Sequence, residues 1–259
     1  MCPKTLPRLT RDAAGTAAAA ATHAAVSAAA LMVVSAAVVL TLGAATPSPA
    51  AAQAPAPAPA AAPAAPPPTT PPGVQEVPAS KELLKSLRGG GYVLYMRHAT
   101  TDTSKPDAVP KVDLADCATQ RNLNDEGRKQ AAAIGRQIRA GGIPVGEVIH
   151  SPFCRTRETA QLAFPAPGPK LREEVGISYP SNLTAQEKLP VLEATRKILS
   201  APVPAGMNRV VVGHAQNLAE LMDLFVKPEG AMVVLRPQPG GRFEYLASIT
   251  PAAWAGLLK

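Results

Sequence analysis

Tyr92–Asp102 reads YVLYMRHATTD, and the way this stretch ends decides the fold. Tyr92 to Met96 are apolar or aromatic, follow the break Gly89-Gly90-Gly91, and predict a short buried strand. The strand runs directly into Arg97 and His98. A guanidinium and an imidazole at the C-terminal end of a core strand stand where open α/β sheets bind ligands. A strand that simply finishes in polar surface residues is the plain alternative.

Two later stretches repeat the pattern. Glu147–His150 (EVIH) predicts a second strand, followed by SPFCRTRETA with a helix starting near Cys154 and carrying Arg155, Arg157 and Glu158. Asn208–Gly213 (NRVVVG) predicts a third, ending at His214 and followed by a helix over QNLAELMDLF. Between them lie a helix over DEGRKQAAAIGRQIRA capped by Asn124, a strand or loop over Leu171–Val175, and a helical stretch, Thr184–Ser200, interrupted by Pro190. Ser80 caps a short helix, KELLKSLR. Two more strands, Ala231–Arg236 and Arg242–Ile249, read as a hairpin, and Thr250-Pro251 starts a last short helix with Trp254. Strands alternating with helices predict a three-layer α/β/α sandwich around a mostly parallel central sheet.

The first third of the chain is of another kind. No Asp, Glu, Lys or Arg occurs between Asp12 and Glu76. Lys4, Arg8 and Arg11 precede an apolar run, strongest over Ala28–Ala45, and then a small-x-small site at Ala52-Gln53-Ala54. Residues 1–54 therefore read as a secretory signal, with an uncleaved membrane anchor as the alternative. Residues 55–79 read as an Ala/Pro-rich, semi-extended linker. Residues 80–259 are long enough for one domain with its own core. Either reading of the N-terminus places that domain outside the cytoplasm, periplasmic or secreted, with membrane contact only if the segment stays attached.

The net charge of +7 does not indicate nucleic acid. The basic residues are scattered among acids, with no run and no interleaved aromatics. A field attractive to small anionic substrates accounts for the balance.

If the three strand ends share one sheet edge, Arg97, His98, Arg155 and His214 meet. Two guanidinium forks match phosphate oxygens in a bidentate way. A neutral imidazole beside them becomes a nucleophile toward phosphorus, forming a phosphohistidine that water hydrolyses. The arginines and the second imidazole balance the charge of the transferring group, so neither metal nor cofactor is expected.

The ordered pattern MRHATTD, SPFCRTRETA and VVVGHAQNL, with NLNDEGRKQAAAIG between the first two, resembles the histidine phosphatase superfamily with its phosphoglycerate-mutase-like fold. The resemblance implies His98 as nucleophile and Arg97, Arg155 and His214 as the phosphate pocket. It also implies a general acid between the second arginine and the second histidine, where Glu173 is the expected residue and Glu174 the alternative. An aspartate directly after the second histidine serves another branch, and here that position is Ala215. Thr100 and Thr101 are placed to offer hydroxyls to phosphate, although ordinary turn chemistry explains them equally. His150 is expected to be structural and His23 belongs to the targeting segment. Arg157 and Glu158 are expected to pair on a helix surface.

Cys2 departs with a cleaved signal, leaving Cys117 and Cys154 as a pair for one disulfide in an oxidising compartment. The run CRTRETA lacks the spacing between cysteine and arginine that a cysteine phosphatase uses. The expected function is an exported phosphomonoesterase acting on a small phosphorylated substrate. The alternatives are a phosphomutase or phosphotransferase of the same fold, or a catalytically silent phosphate- or glycan-binding domain. Only 58 residues separate Arg155 from His214, which leaves little room for a lid domain and favours hydrolysis.

Overall fold

The computed structural model describes residues 73–259. The expected signal or anchor and most of the linker lie outside the described residues. At the start of the described chain, Val77 and Ala79 already hydrogen-bond along Ser248, so the backbone is pinned to the last strand just before Ser80.

Twelve helices and strands follow: α1 (Lys81–Leu87), β1 (Val93–Arg97), α2 (Asp125–Ala140), β2 (Val145–His150), α3 (Cys154–Ala163), β3 (Lys170–Glu173), α4 (Ala185–Ser200), β4 (Asn208–Gly213), α5 (Ala215–Met222), β5 (Met232–Gln238), β6 (Arg242–Ile249) and α6 (Trp254–Leu257). The strands form one sheet in the order β3-β2-β4-β1-β5-β6. The pairs β3-β2, β2-β4 and β4-β1 are parallel, and β5 and β6 run antiparallel. Four parallel strands thus direct their C-termini to one edge, and β5 begins at that same edge.

Alternation along the strands divides the core in two. Leu94 and Met96 face a layer containing Leu87, Ile134, Ile138, Ala160 and Trp254 of α1, α2, α3 and α6. Val93 and Tyr95 face the opposite layer, with Leu199 of α4 and Leu218 of α5. The result is the three-layer α/β/α sandwich with a mostly parallel sheet.

The helix starts follow their caps. Ser80 Oγ accepts from Leu83 N–H at 3.2 Å, and Asn124 Oδ1 accepts from Gly127 N–H at 2.8 Å. Thr184 and Glu187 form a capping box. Each such cap stabilises its helix by about 1 kcal/mol. Contrary to the expected interruption, α4 runs unbroken through Pro190. The ring removes one hydrogen bond, while Val191, Thr195 and Leu199 keep the helix packed on the sheet. Helix α5 stops at Met222, earlier than its apolar pattern suggests, because Asp223 turns into the left-handed region at φ 58°. Asp tolerates that conformation better than most residues.

Candidate active site

Parallel pairing brings the polar strand ends together. Arg97 pairs with Gly213 across β1 and β4, and His150 pairs with Val212 across β2 and β4. His98 N–H then donates to Gly213 O at 3.0 Å, and Ser151 N–H donates to Val212 O at 3.0 Å. His98, Ser151 and His214 therefore sit side by side, one residue past three neighbouring strands. The His98 and His214 rings lie 5.6 Å apart, edge to face.

His98 is buried, and its Nδ1 lies 3.0 Å from its neighbour's carbonyl, Ala99 O. A carbonyl only accepts, so Nδ1 carries the hydrogen and Nε2 keeps its lone pair. Burial, and then the Arg155 charge, hold the His98 pKa well below the usual histidine range. The ring is neutral near pH 7 and available as a nucleophile.

His214 is fully buried and fixed through its backbone. Its N–H donates to Tyr95 Oη at 3.0 Å, and the Tyr95 hydroxyl donates to His214 O at 2.8 Å. That arrangement requires Gly213, where a Cβ would fall 2.2 Å from Tyr95 Oη. Ser151 Oγ stands 2.9 Å from His214 Nε2. Burial, again followed by the Arg155 charge, lowers the His214 pKa well below its ordinary value.

Arg155, at the first turn of α3, is 0% exposed. Its Nη1 donates to Asp107 Oδ1 at 2.9 Å and to Arg121 O at 3.3 Å. Its guanidinium lies 4.5 Å from the Phe153 ring centroid and 5.3 Å from that of Tyr179, within cation–π range. Arg97 Nη2 reaches Glu229 Oε1 at 3.3 Å, and Nη1 donates to Val226 O at 3.2 Å.

Among the described residues, five buried side-chain nitrogens have no hydrogen-bond partner. Four of them belong to this cluster: Arg97 Nε, Arg155 Nε, Arg155 Nη2 and His214 Nδ1. Unpaired buried polar groups are rare and costly. Concentrated on two arginines and a histidine, they constitute a site built to be completed by an anion.

The structure brings together Arg97, His98, Arg155 and His214. Thr101 is also here, but its N–H and hydroxyl both donate to the Glu229 carboxylate at 2.9 Å. Thr100 bonds to Gln130 Oε1 instead, beside Gly127, where a Cβ would lie 1.9 Å from Thr100 O. His150 is buried and bonded to Ser151 O at 2.9 Å, a structural role. Glu158 pairs with Arg128 at 2.7 Å rather than with Arg157.

Glu173 is not brought to the cluster. It ends β3, the edge strand, and three strand spacings separate β3 from β1, roughly 14 Å at about 4.8 Å per spacing. Its ion-pair partner is Arg157 at 3.9 Å, and its side chain is 46% exposed. Glu174 pairs with Arg172 at 2.7 Å and accepts from Gly176 N–H at 3.1 Å.

Three residues not singled out from the sequence complete the site. Glu229 Oε1 lies 3.9 Å from His98 Nδ1, 3.3 Å from Arg97 and 3.9 Å from Arg121 Nη1. Asp107 accepts from Arg155 and from Arg121 N–H at 2.8 Å. The loop carrying Asp107 is tied to α3 by a Cys117–Cys154 disulfide and by Cys154 N–H donating to Gln120 Oε1 at 2.8 Å. Among the described residues, no three His, Cys, Asp or Glu side chains gather to hold a metal ion.

Comparison with known proteins agrees with the motif reading over the first half of the domain. Residues 93–177 match the family model of the histidine phosphatase superfamily, branch 1. No curated protein matches the chain. Among solved structures, the protein histidine phosphatase SixA complexed with tungstate is similar at 14% identity and TM-score 0.43, covering 62% of this chain and 97% of that one. The alpha-ribazole phosphatase from Shigella flexneri is similar at 10% identity and TM-score 0.45, covering 62% and 96%. A mycobacterial glucosyl-3-phosphoglycerate phosphatase complexed with VO3 is similar at 14% identity and TM-score 0.45, covering 60% and 97%.

Proposed function

We propose that this chain, whose residues 93–177 carry the histidine phosphatase superfamily pattern, is an exported phosphomonoesterase working through a phosphohistidine on His98. The observation that carries the reading is the set of unpaired buried nitrogens on Arg97, Arg155 and His214, gathered around a neutral imidazole with a free Nε2. An anion with several oxygens satisfies them, and a tetrahedral phosphoryl group has the right chemistry.

In the first step, the Nε2 lone pair of His98 attacks phosphorus and the P–O ester bond breaks. The released oxygen takes up a proton and leaves as the alcohol. In the second step, water attacks the phosphohistidine, the P–N bond breaks, and the electron pair returns to Nε2. The water's proton replaces the one consumed, so the net reaction uses one water and yields alcohol and phosphate. Arg155, already short of acceptors, and Arg97 stabilise the equatorial oxygens as charge spreads over them. His214 Nδ1 faces the same need for a polar partner. The Nδ1 hydrogen bond of His98 fixes the reactive tautomer, and the nearby Glu229 carboxylate stabilises the positive charge that the ring gains when phosphorylated. Glu229 acts on the reaction through His98 and is a positioning residue.

Export rests on the N-terminal segment and is supported by the Cys117–Cys154 disulfide, a bond that persists outside reducing compartments.

The test is turnover of p-nitrophenyl phosphate together with covalent labelling from a phosphorus-32 donor. The expected result is an acid-labile phosphoryl adduct on the wild type, absent from His98→Ala, with turnover in that variant lower by at least about a thousandfold. Unlabelled wild-type protein that still binds vanadate would point instead to a phosphate-binding domain.

A further inference from the structure

The walls of the anion site continue into a second hollow. Phe153 and Tyr179 lie with ring centroids 5.0 Å and 5.2 Å from that of His214, and both rings stack on Arg155. The same two rings also line a cleft of about 340 Å³, together with Leu114 from the long loop and Leu183 from the segment before α4. Lys111 and Glu187 line it with opposite charges, beside Ser178 and Asn182, so the cleft carries no net ionic preference of its own.

We propose that this cleft receives the organic part of the substrate, and that the substrate is a phosphomonoester of an apolar alcohol or phenol. The proposal rests on the phosphatase reading given above. A phosphoryl group held by Arg155 and His214 has Phe153 and Tyr179 beside it, and a chain or ring running along those faces enters the cleft between Leu114 and Leu183. At about 30 Å³ per water-sized group, the space takes roughly eleven such groups, enough for a medium alkyl chain or a substituted aromatic ring. Apolar and aromatic side chains outnumber the polar ones along the cleft, which favours such a tail over a sugar or a charged amino acid. Hydroxyl or charged groups set between Leu114 and Leu183 find no partner on those two side chains.

The experiment compares n-hexyl phosphate with ethyl phosphate on the full-length protein. The two esters release alcohols of similar acidity and differ in apolar length. Wild-type kcat/KM is expected to favour the hexyl ester by at least about tenfold, the gain from burying about two methylenes, and Leu183→Asp is expected to bring the ratio close to one. Equal kcat/KM for the two esters in the wild type overturns the cleft assignment. The phosphatase reading is judged separately by p-nitrophenyl phosphate turnover and its dependence on His98. Should neither alkyl ester turn over, titration calorimetry with n-hexylphosphonate and ethylphosphonate decides. Binding at least about tenfold tighter for the hexyl compound supports the cleft, and equal binding removes it.

Discussion

Asp107 Oδ1 holds Arg155 Nη1 at 2.9 Å while the other two nitrogens of that guanidinium remain unpaired. The arginine is entirely buried and the aspartate nearly so. Burial lowers the Arg155 pKa, and Asp107 opposes that shift. Removing the carboxylate strands a buried cation, an arrangement that costs about 3 kcal/mol or more. Asp107→Ala is therefore expected to lower unfolding stability by about that amount in urea titrations. Added phosphate, by giving the guanidinium a new anion, should restore part of the loss. Unchanged stability would show that Arg155 finds another acceptor.

The two buried histidines set an acid limit. Folding pushes both pKa values down, chiefly by burial, whereas the unfolded chain titrates near about 6.5. Below that value the unfolded state takes up protons that the native state refuses. The stability present above about pH 6.5 is then lost on acidification, at up to about 1.4 kcal/mol per pH unit for each histidine. Thermal melts from pH 7.5 to 5 should show the decline, and His98→Gln should lessen its slope. Activity follows the folded value instead. Because His98 stays neutral, kcat/KM should not break near pH 6.5, and its acid limb should lie lower.

Arg97, His98 and His214 are legible in the sequence because they lie at strand ends, and Arg155 because it opens the helix that follows another. An apolar run that stops in arginine or histidine gives both the strand and the edge, and parallel pairing does the rest. Glu173 also ends a strand, yet it stands away from His98. Nothing in a one-dimensional pattern says that Lys170–Glu173 takes the edge of the sheet, three strands away from His98. Glu229 was hidden for the opposite reason. It precedes β5, and β5 runs antiparallel to β1, with Met232 opposite Met96, so the start of β5 meets the end of β1. The apolar run that forms β5 reads as a strand, but its direction of pairing with β1 does not show in the sequence. Asp107 reaches Arg155 only because the long loop folds back onto α3.

That loop is held by the Cys117–Cys154 disulfide across a sequence separation of 37 residues. Closing a loop of that length in the unfolded chain corresponds to about 4 kcal/mol in the chain-entropy model. The double variant Cys117→Ser/Cys154→Ser should lose stability of that order, measured by denaturant unfolding of the oxidised wild type beside the variant. Because Asp107 and Arg121 ride on the same loop, KM for p-nitrophenyl phosphate should rise as well. A stability loss with KM unchanged would mean that Asp107 is placed by its bonds to Arg121 and Arg155 alone.

Glu229 separates binding from chemistry. Its carboxylate occupies Arg97 and Thr101 and lies near Arg121 and His98, the surroundings an incoming phosphate also seeks. Two anions in one site repel each other, by about 2 kcal/mol at 8 Å and an effective dielectric of 20. Neutralising Glu229 should therefore tighten the binding of inorganic phosphate. The same carboxylate stabilises the positive ring of phosphorylated His98, so its loss should slow the chemical step. Glu229→Gln is expected to lower the inhibition constant for phosphate by up to about thirtyfold while kcat falls by about tenfold. Glu229→Asp should recover part of kcat. A merely structural glutamate would weaken phosphate binding and kcat together, and steady-state kinetics with phosphate as inhibitor distinguish the two outcomes.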